Sequence, residues 1–227
     1  MRVPLKLKFY YLLSRLIQKN KTPNFSMDSP REIRDGEEFA LETLKIYLSE
    51  NNINADDLSI KQFPSGYSNL TYFLKSSSEE FVLRRPPFGA KSLQGGHDMF
   101  REYNVLKNLK SQFLKVPDVY LYCDNSEIIG APFYLMERVE GYIIRPNLQQ
   151  KDSPGKEVIQ NVSKSLVSTL VELHNVDIDQ ANLNELGNIN GYVKRQVEGW
   201  IKRYNHSKTD SIENMEFIAS WLDENQP

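Results

Sequence analysis

Hydrophobic positions along this chain change their period several times, and each change marks a new element. Between Glu37 and Ser49, Ala40, Leu41, Leu44, Tyr47 and Leu48 follow the i, i+3, i+4, i+7 spacing of an amphipathic helix, which Asn51, Asn52 and Asn54 then break. A β-rich block comes next. Leu58 to Phe63 alternates, Pro64-Ser65-Gly66 turns the chain, and Tyr67 to Lys75 is rich in strand formers; Phe81 to Arg85 predicts a third strand beyond a polar turn. Pro86-Pro87 ends that strand, and Gly89 with Gly95-Gly96 marks a flexible loop. The helical period returns from about Asp98 to Lys110, with Asp98 suited to the N-cap or first turn. Val119 to Tyr122 and Ala131 to Val139, the latter closed by Gly141, read as two further strands separated by a turn. After Pro154-Gly155 the pattern is helical only. Ile159, Val162, Leu166, Leu170 and Leu173 form one apolar row, Val193, Val197, Trp200, Ile201 and Tyr204 a second, and Met215, Ala219 and Leu222 a third within Ser211 to Leu222. Strands gathered first and helices after predict an α+β fold with two lobes, not a doubly wound sheet.

Composition adds limits. Eleven Phe, twelve Tyr and two Trp in 227 residues are too many large apolar groups for a disordered chain. The single cysteine, Cys123, excludes an intrachain disulfide and a cysteine-based zinc site, and fits a reducing compartment. No run approaches the roughly 20 apolar residues of a membrane span, so no transmembrane segment is expected. The net charge of −2 offers no reason to expect nucleic acid as a partner. That near-balance conceals an asymmetry: residues 1–26 carry Arg2, Lys6, Lys8, Arg15, Lys19 and Lys21 with no acid, leaving 22 basic against 30 acidic residues beyond them. Leu7 to Ile17 within this stretch can form a basic amphipathic helix. Three readings stay open for it: a transit peptide, a membrane-surface or partner helix, or an N-terminal extension ahead of a second start at Met27. The expected location is cytoplasmic, or mitochondrial if the basic stretch is a transit peptide.

Candidate chemistry begins on the helix from Asp98. Met99, Tyr103, Leu106 and Leu109 share one face, and Glu102 lies within it. A carboxylate on a core-facing stripe is costly unless a cation meets it. The strand FVLRR sends Arg84 and Arg85 to opposite faces, so one of the two arginines is expected to turn inward towards Glu102. The alternative is that Glu102 sits at the edge of the face and reaches water.

Taken in order, the chain shows a turn with Gly66 between two strands, followed by Ser68, Asn69 and Thr71; a strand ending in a cation; a helix with an inward Glu; and a strand ending Met136-Glu137-Arg138-Val139 before Gly141. This is the layout of a kinase N-lobe. The chain resembles the aminoglycoside phosphotransferase family of kinase-like small-molecule phosphotransferases, and looks most like the branch found as a domain of acyl-CoA dehydrogenase fusion proteins. The strings IRDGEEFALETLKIYL, FPSGYSNLTYFL, FVLRRPPFG, REYNVLKNL, FYLMERVEG, LVELHNVD and RQVEGWIKRY carry the resemblance from about Ile33 to Tyr204. Beyond the basic extension over 1–26, it implies a protein-kinase-like fold: a β-rich N-lobe and hinge over 27–141, and a partial helical C-lobe over 142–227. It also implies ATP and Mg²⁺ as cofactors and a small-molecule hydroxyl, of unidentified structure, as phosphate acceptor. By the same resemblance Gly66, Ser68 and Asn69 form the loop over the nucleotide phosphates. Arg84 takes the place of the strand lysine, Glu102 orients it, and Glu137 and Val139 offer backbone groups to the adenine edge with Met136 behind the ring.

The family's catalytic loop, H-x-D-x-x-x-x-N, has no counterpart here. His97 adjoins Asp98 and His206 precedes Ser207-Lys208, so both spacings fail. His174 stands three residues before Asp177, and Asn182 completes the Asp spacing, but the string LHNVD resembles the end of the family's first large C-lobe helix. His174 is therefore expected to be a structural helix-end residue. No catalytic and no metal-binding residue is assigned, and the Mg²⁺ ligands are largely missing. The sequence reads as a phosphotransferase ending before its catalytic loop, with little or no activity alone; the alternative is a non-catalytic pseudokinase fragment that binds nucleotide or a partner.

Overall fold

The computed structural model describes residues 29–64, 68–89, 97–141, 155–187 and 190–226; the basic N-terminal stretch and its expected helix lie outside the described residues. The chain forms two compact units, residues 1–177 and 178–227.

Five strands form the first unit's sheet: β1 (Ser59–Gln62), β2 (Leu70–Lys75), β3 (Glu80–Arg85), β4 (Val119–Cys123) and β5 (Phe133–Glu137). They lie in the order β1-β2-β3-β5-β4, each pair antiparallel, which with the helices makes the α+β, kinase-like architecture. The β2–β3 hairpin closes where Ser76 N–H donates to Glu79 O at 2.9 Å and Glu79 N–H donates to Ser76 Oγ at 3.1 Å. Short polar residues suit this turn because their hydroxyls replace missing ladder bonds.

Alternation along the strands gives the sheet two faces. Leu70, Tyr72 and Leu74 of β2, Phe81 and Leu83 of β3, and Phe133 and Leu135 of β5 point into one core. Helix α1 (Leu41–Glu50) covers it with Leu44 and Leu48. Each such side chain contributes about 1.5–3 kcal/mol by leaving water, so this core holds the unit together. The helical period begins at Glu37, yet residues 37–40 stay outside the helix. Tertiary bonds hold them there: the Tyr72 hydroxyl donates to Glu37 O at 2.7 Å, and the Gln62 amide donates to the Glu37 carboxylate.

Helix α2 (Met99–Leu109) starts where expected. Asp98 caps it, its carboxylate accepting from Arg101 N–H at 2.9 Å, while buried Met99 and Leu109 set its rotation. The stretch between β4 and β5, expected to be a turn, holds a single helical turn, α3 (Ser126–Ile129). Asn125 caps it, and Gly130 ends it at φ 82°, a left-handed conformation that favours glycine. Four residues are too few to show a helical period, so the pattern could not reveal it. Helix α4 (Lys156–His174) follows and is tied to the residues after α2 by the Lys115–Glu172 ion pair at 2.5 Å. Its apolar row keeps much of its surface exposed; Leu166, for instance, is 67% exposed.

In the second unit a 3₁₀ turn (Asn184–Leu186) precedes α5 (Tyr192–Ser207) and α6 (Glu213–Glu224), which pack on one another. Lys208 Nζ meets Glu216 at 2.8 Å across their connection. No residue of α4, α5 or α6 is buried. Among the described residues no helix is long and apolar enough to cross a membrane.

Candidate functional site

Strand register assembles the site. Arg84 of β3 stands opposite Thr71 of β2 and Tyr134 of β5, so the three share the sheet face away from the α1 core. Phe73, Val82 and Met136 lie further along the same face, one register step on. Helix α2 packs on β4 and β5 and brings Glu102 to this surface.

Glu102 Oε2 lies 3.2 Å from Arg84 Nε, both side chains being about one-third exposed. Of the two adjacent arginines, Arg84 thus meets the carboxylate. Arg84 Nε is itself buried and makes no aligned hydrogen bond, so the attraction is one of charge and not of hydrogen-bond geometry. The terminal nitrogens of its guanidinium have no hydrogen-bond partner among the described residues. Glu102 has donors of its own: Asn69 Nδ2 donates to Oε1 at 2.7 Å and the Tyr134 hydroxyl to Oε2 at 3.0 Å. Burial pushes the Tyr134 phenol far above its ordinary value; Arg84 opposes the shift and Glu102 adds to it, so the hydroxyl remains a donor at neutral pH. Asn69, only 4% exposed, turns its Oδ1 towards His97 Nδ1 at 2.7 Å.

Arg85, one residue on, belongs to the core. It is 1% exposed; Nη1 donates to Ile129 O at 2.6 Å, Nε to Pro86 O at 3.1 Å, and the Phe88 ring centroid lies 3.8 Å from Cζ.

The other expected site residues occupy the end of β5. Met136 pairs with Val82. Glu137 is bound structurally: its N–H donates to Asp118 O at 2.8 Å, its carboxylate accepts from Asp118 N–H at 3.0 Å, and Lys110 Nζ lies 3.9 Å away. Val139, past the strand, is exposed and makes no backbone hydrogen bond to the described residues. Ser68 is exposed just ahead of β2, and Gly66 lies outside the described residues. His174 is the last residue of α4.

The structure therefore gathers Asn69, Arg84 and Glu102 and adds Tyr134 and His97, neither of which was a candidate from sequence. Tyr134 had a usable signal, since pairing β3 with β5 puts it beside Arg84. His97 had none, because its partner is 28 residues away and no local pattern links them.

A fixed cation whose terminal nitrogens have no partner among the described residues suits a pair of anionic oxygens, as on a phosphate. The described residues fit such an anion. They do not fit a metal cage: among them no three His, Cys, Asp or Glu side chains come together.

A model of the phosphotransferase enzyme family matches residues 59–227. Acyl-CoA dehydrogenase family member 11 of Rattus norvegicus is 38% identical over 201 residues, covering 86% of this chain and 25% of the relative. Acyl-CoA dehydrogenase family member 10 of Mus musculus is 35% identical over 166 residues, covering 73% and 15%. A crystal structure from Ralstonia eutropha, provisionally assigned as an aminoglycoside phosphotransferase, superposes with a TM-score of 0.63 at 28% identity, covering 84% of this chain and 54% of that one. The chain spans a quarter or less of these two curated relatives.

Proposed function

The chain belongs to the phosphotransferase enzyme family, and from that premise we propose that it carries the nucleotide grip of an ATP-dependent transfer to a small-molecule hydroxyl. The observation that carries this reading is the Arg84–Glu102 pair, with the outer edge of the Arg84 guanidinium left without a partner among the described residues. Arg84 holds the α- and β-phosphates, and Glu102 keeps the guanidinium from swinging away. Ser68 approaches the phosphates from the loop before β2. Met136 lies behind the adenine ring, while the Glu137 C=O and the Val139 N–H meet its edge.

ATP supplies the transferable phosphoryl group and Mg²⁺ neutralises its charge. Among the described residues no three His, Cys, Asp or Glu side chains come together to hold that metal. The likeness to a protein assigned as an aminoglycoside phosphotransferase supports a small hydroxylated acceptor. The transfer step itself is assigned to no residue of this chain.

Mg·ATP at about 100 times its Kd stabilises a folded protein by about 2.7 kcal/mol, roughly a 5–10 °C rise in Tm for a chain of this size. A thermal melt with and without millimolar Mg·ATP tests the reading. A rise of several degrees supports it, and no shift sinks nucleotide binding by this chain.

A further inference from the structure

We infer that Asn69 and His97 are positioning residues, a two-bond relay that holds the Glu102 carboxylate against Arg84. The relay follows from donor and acceptor chemistry. Glu102 Oε1 only accepts, so the Asn69 group 2.7 Å from it is the Nδ2 amide, and this leaves Oδ1 facing His97. Oδ1 also only accepts, so His97 Nδ1 must carry a proton at their 2.7 Å separation. The bonds run in one direction: His97 Nδ1–H to Asn69, then Asn69 Nδ2–H to Glu102. Each link fixes the next. A reversed amide would set oxygen against carboxylate, and an imidazole protonated only on Nε2 would set a bare nitrogen against Oδ1.

Burial and placement give the relay its purpose. Asn69 is almost fully buried, so water does not compete for its amide. It sits immediately before β2, while His97 and the Asp98 cap open the helix that carries Glu102. The relay thus spans the start of β2 and the start of α2 and ends on the carboxylate they share. Without Asn69, Glu102 keeps the Tyr134 bond to Oε2 but loses the one to Oε1, and its carboxylate can rotate away from Arg84 Nε. The family resemblance sets Asn69 on the nucleotide phosphates; here its amide is spent on Glu102 and His97.

The nucleotide consequence rests on the proposed function, but the tautomer does not, and the experiment separates them. Long-range ¹H–¹⁵N spectra of the 227-residue chain read the His97 ring, and calorimetry reads Mg·ATP affinity. We expect His97 to be protonated on Nδ1 in the wild type and to return to the Nε2–H form favoured by free imidazole in Asn69→Ala. Mg·ATP affinity should fall about tenfold in Asn69→Ala and severalfold in His97→Phe. His97→Asn should restore most of it, because its amide can still donate to Oδ1. If Asn69→Ala does not fold, the wild-type spectrum and the two His97 variants decide the matter. An Nε2–H ring in the wild type overturns the relay. So does unchanged affinity in His97→Phe, the result expected if Asn69 touched phosphate directly. Should the wild type bind no Mg·ATP, the nucleotide reading fails and the tautomer decides the relay by itself.

Discussion

Arg84 and Arg85 are neighbours on one strand with identical side chains, and the two faces of the sheet use them in opposite ways. On the core face, Arg85 is wholly buried, and no carboxylate among the described residues reaches it within ion-pair distance. Backbone carbonyls of Ile129 and Pro86 and the Phe88 ring spread its charge instead. Burial lowers its pKa below the ordinary arginine value, with Tyr72 and then Glu37 opposing the shift. On the other face Arg84 is one-third exposed, has a carboxylate, and keeps its terminal nitrogens without partners among the described residues. A charge buried against carbonyls and an aromatic ring does structural work, whereas a partly exposed one met by a carboxylate can hold a ligand.

This contrast can be broken by experiment. The largest expected effect is on Arg85→Ala, which orphans the Ile129 carbonyl and leaves a cavity beneath α3; about 3 kcal/mol or more of unfolding free energy should be lost in urea titration. A loss below about 1 kcal/mol would remove Arg85 from the structural role. Arg84→Gln should do the reverse: stability within about 1 kcal/mol of wild type, since partly exposed pairs contribute little, but the Mg·ATP rise in Tm abolished. Glu102→Gln comes next, weakening Mg·ATP binding about tenfold with the fold intact, a loss of about 1.4 kcal/mol. Lys75→Gln, on the exposed side chain that pairs with Glu80, is its control; an equal loss there would mean that the site lies elsewhere.

The smallest effect is electrostatic. A hydrogen bond from Lys75, opposed by partial desolvation and aided by Arg138, holds the Glu80 carboxyl below its ordinary 4.5. A carboxyl lowered in the folded state contributes stability above its ordinary value and loses it as pH falls through the folded one. Glu80→Gln should therefore cost under about 1 kcal/mol at neutral pH and flatten the acid limb of stability below about pH 4.5. A steeper limb would reverse the sign.

Much of this was legible along the chain. Asp98 at the head of α2, Glu102 on its apolar stripe and the five strands follow from local pattern, because caps and alternation act within a few residues. The start of α1 was not legible, since Tyr72 and Gln62 hold Glu37 in non-helical backbone from across the sheet. Nor was α3, too short to be periodic. The apolar row of α4 was plain in sequence, yet its exposure shows that a pattern names a face without naming what covers it.

The sequence by itself placed a cation at the end of β3 and a glutamate on the apolar stripe of the next long helix, leaving open whether the two would meet, and it named the family whose motif order the chain shares. Strand alternation allowed either arginine to be that cation, and only the pairing of β3 with β2 and β5, over a core sealed by α1, turned Arg84 towards Glu102 and Arg85 inward. Tyr134, Asn69 and His97 joined them through contacts 28 to 33 residues apart in the chain. Local patterns carry information over a turn or a strand; donors and acceptors that far apart are matched only when the chain folds.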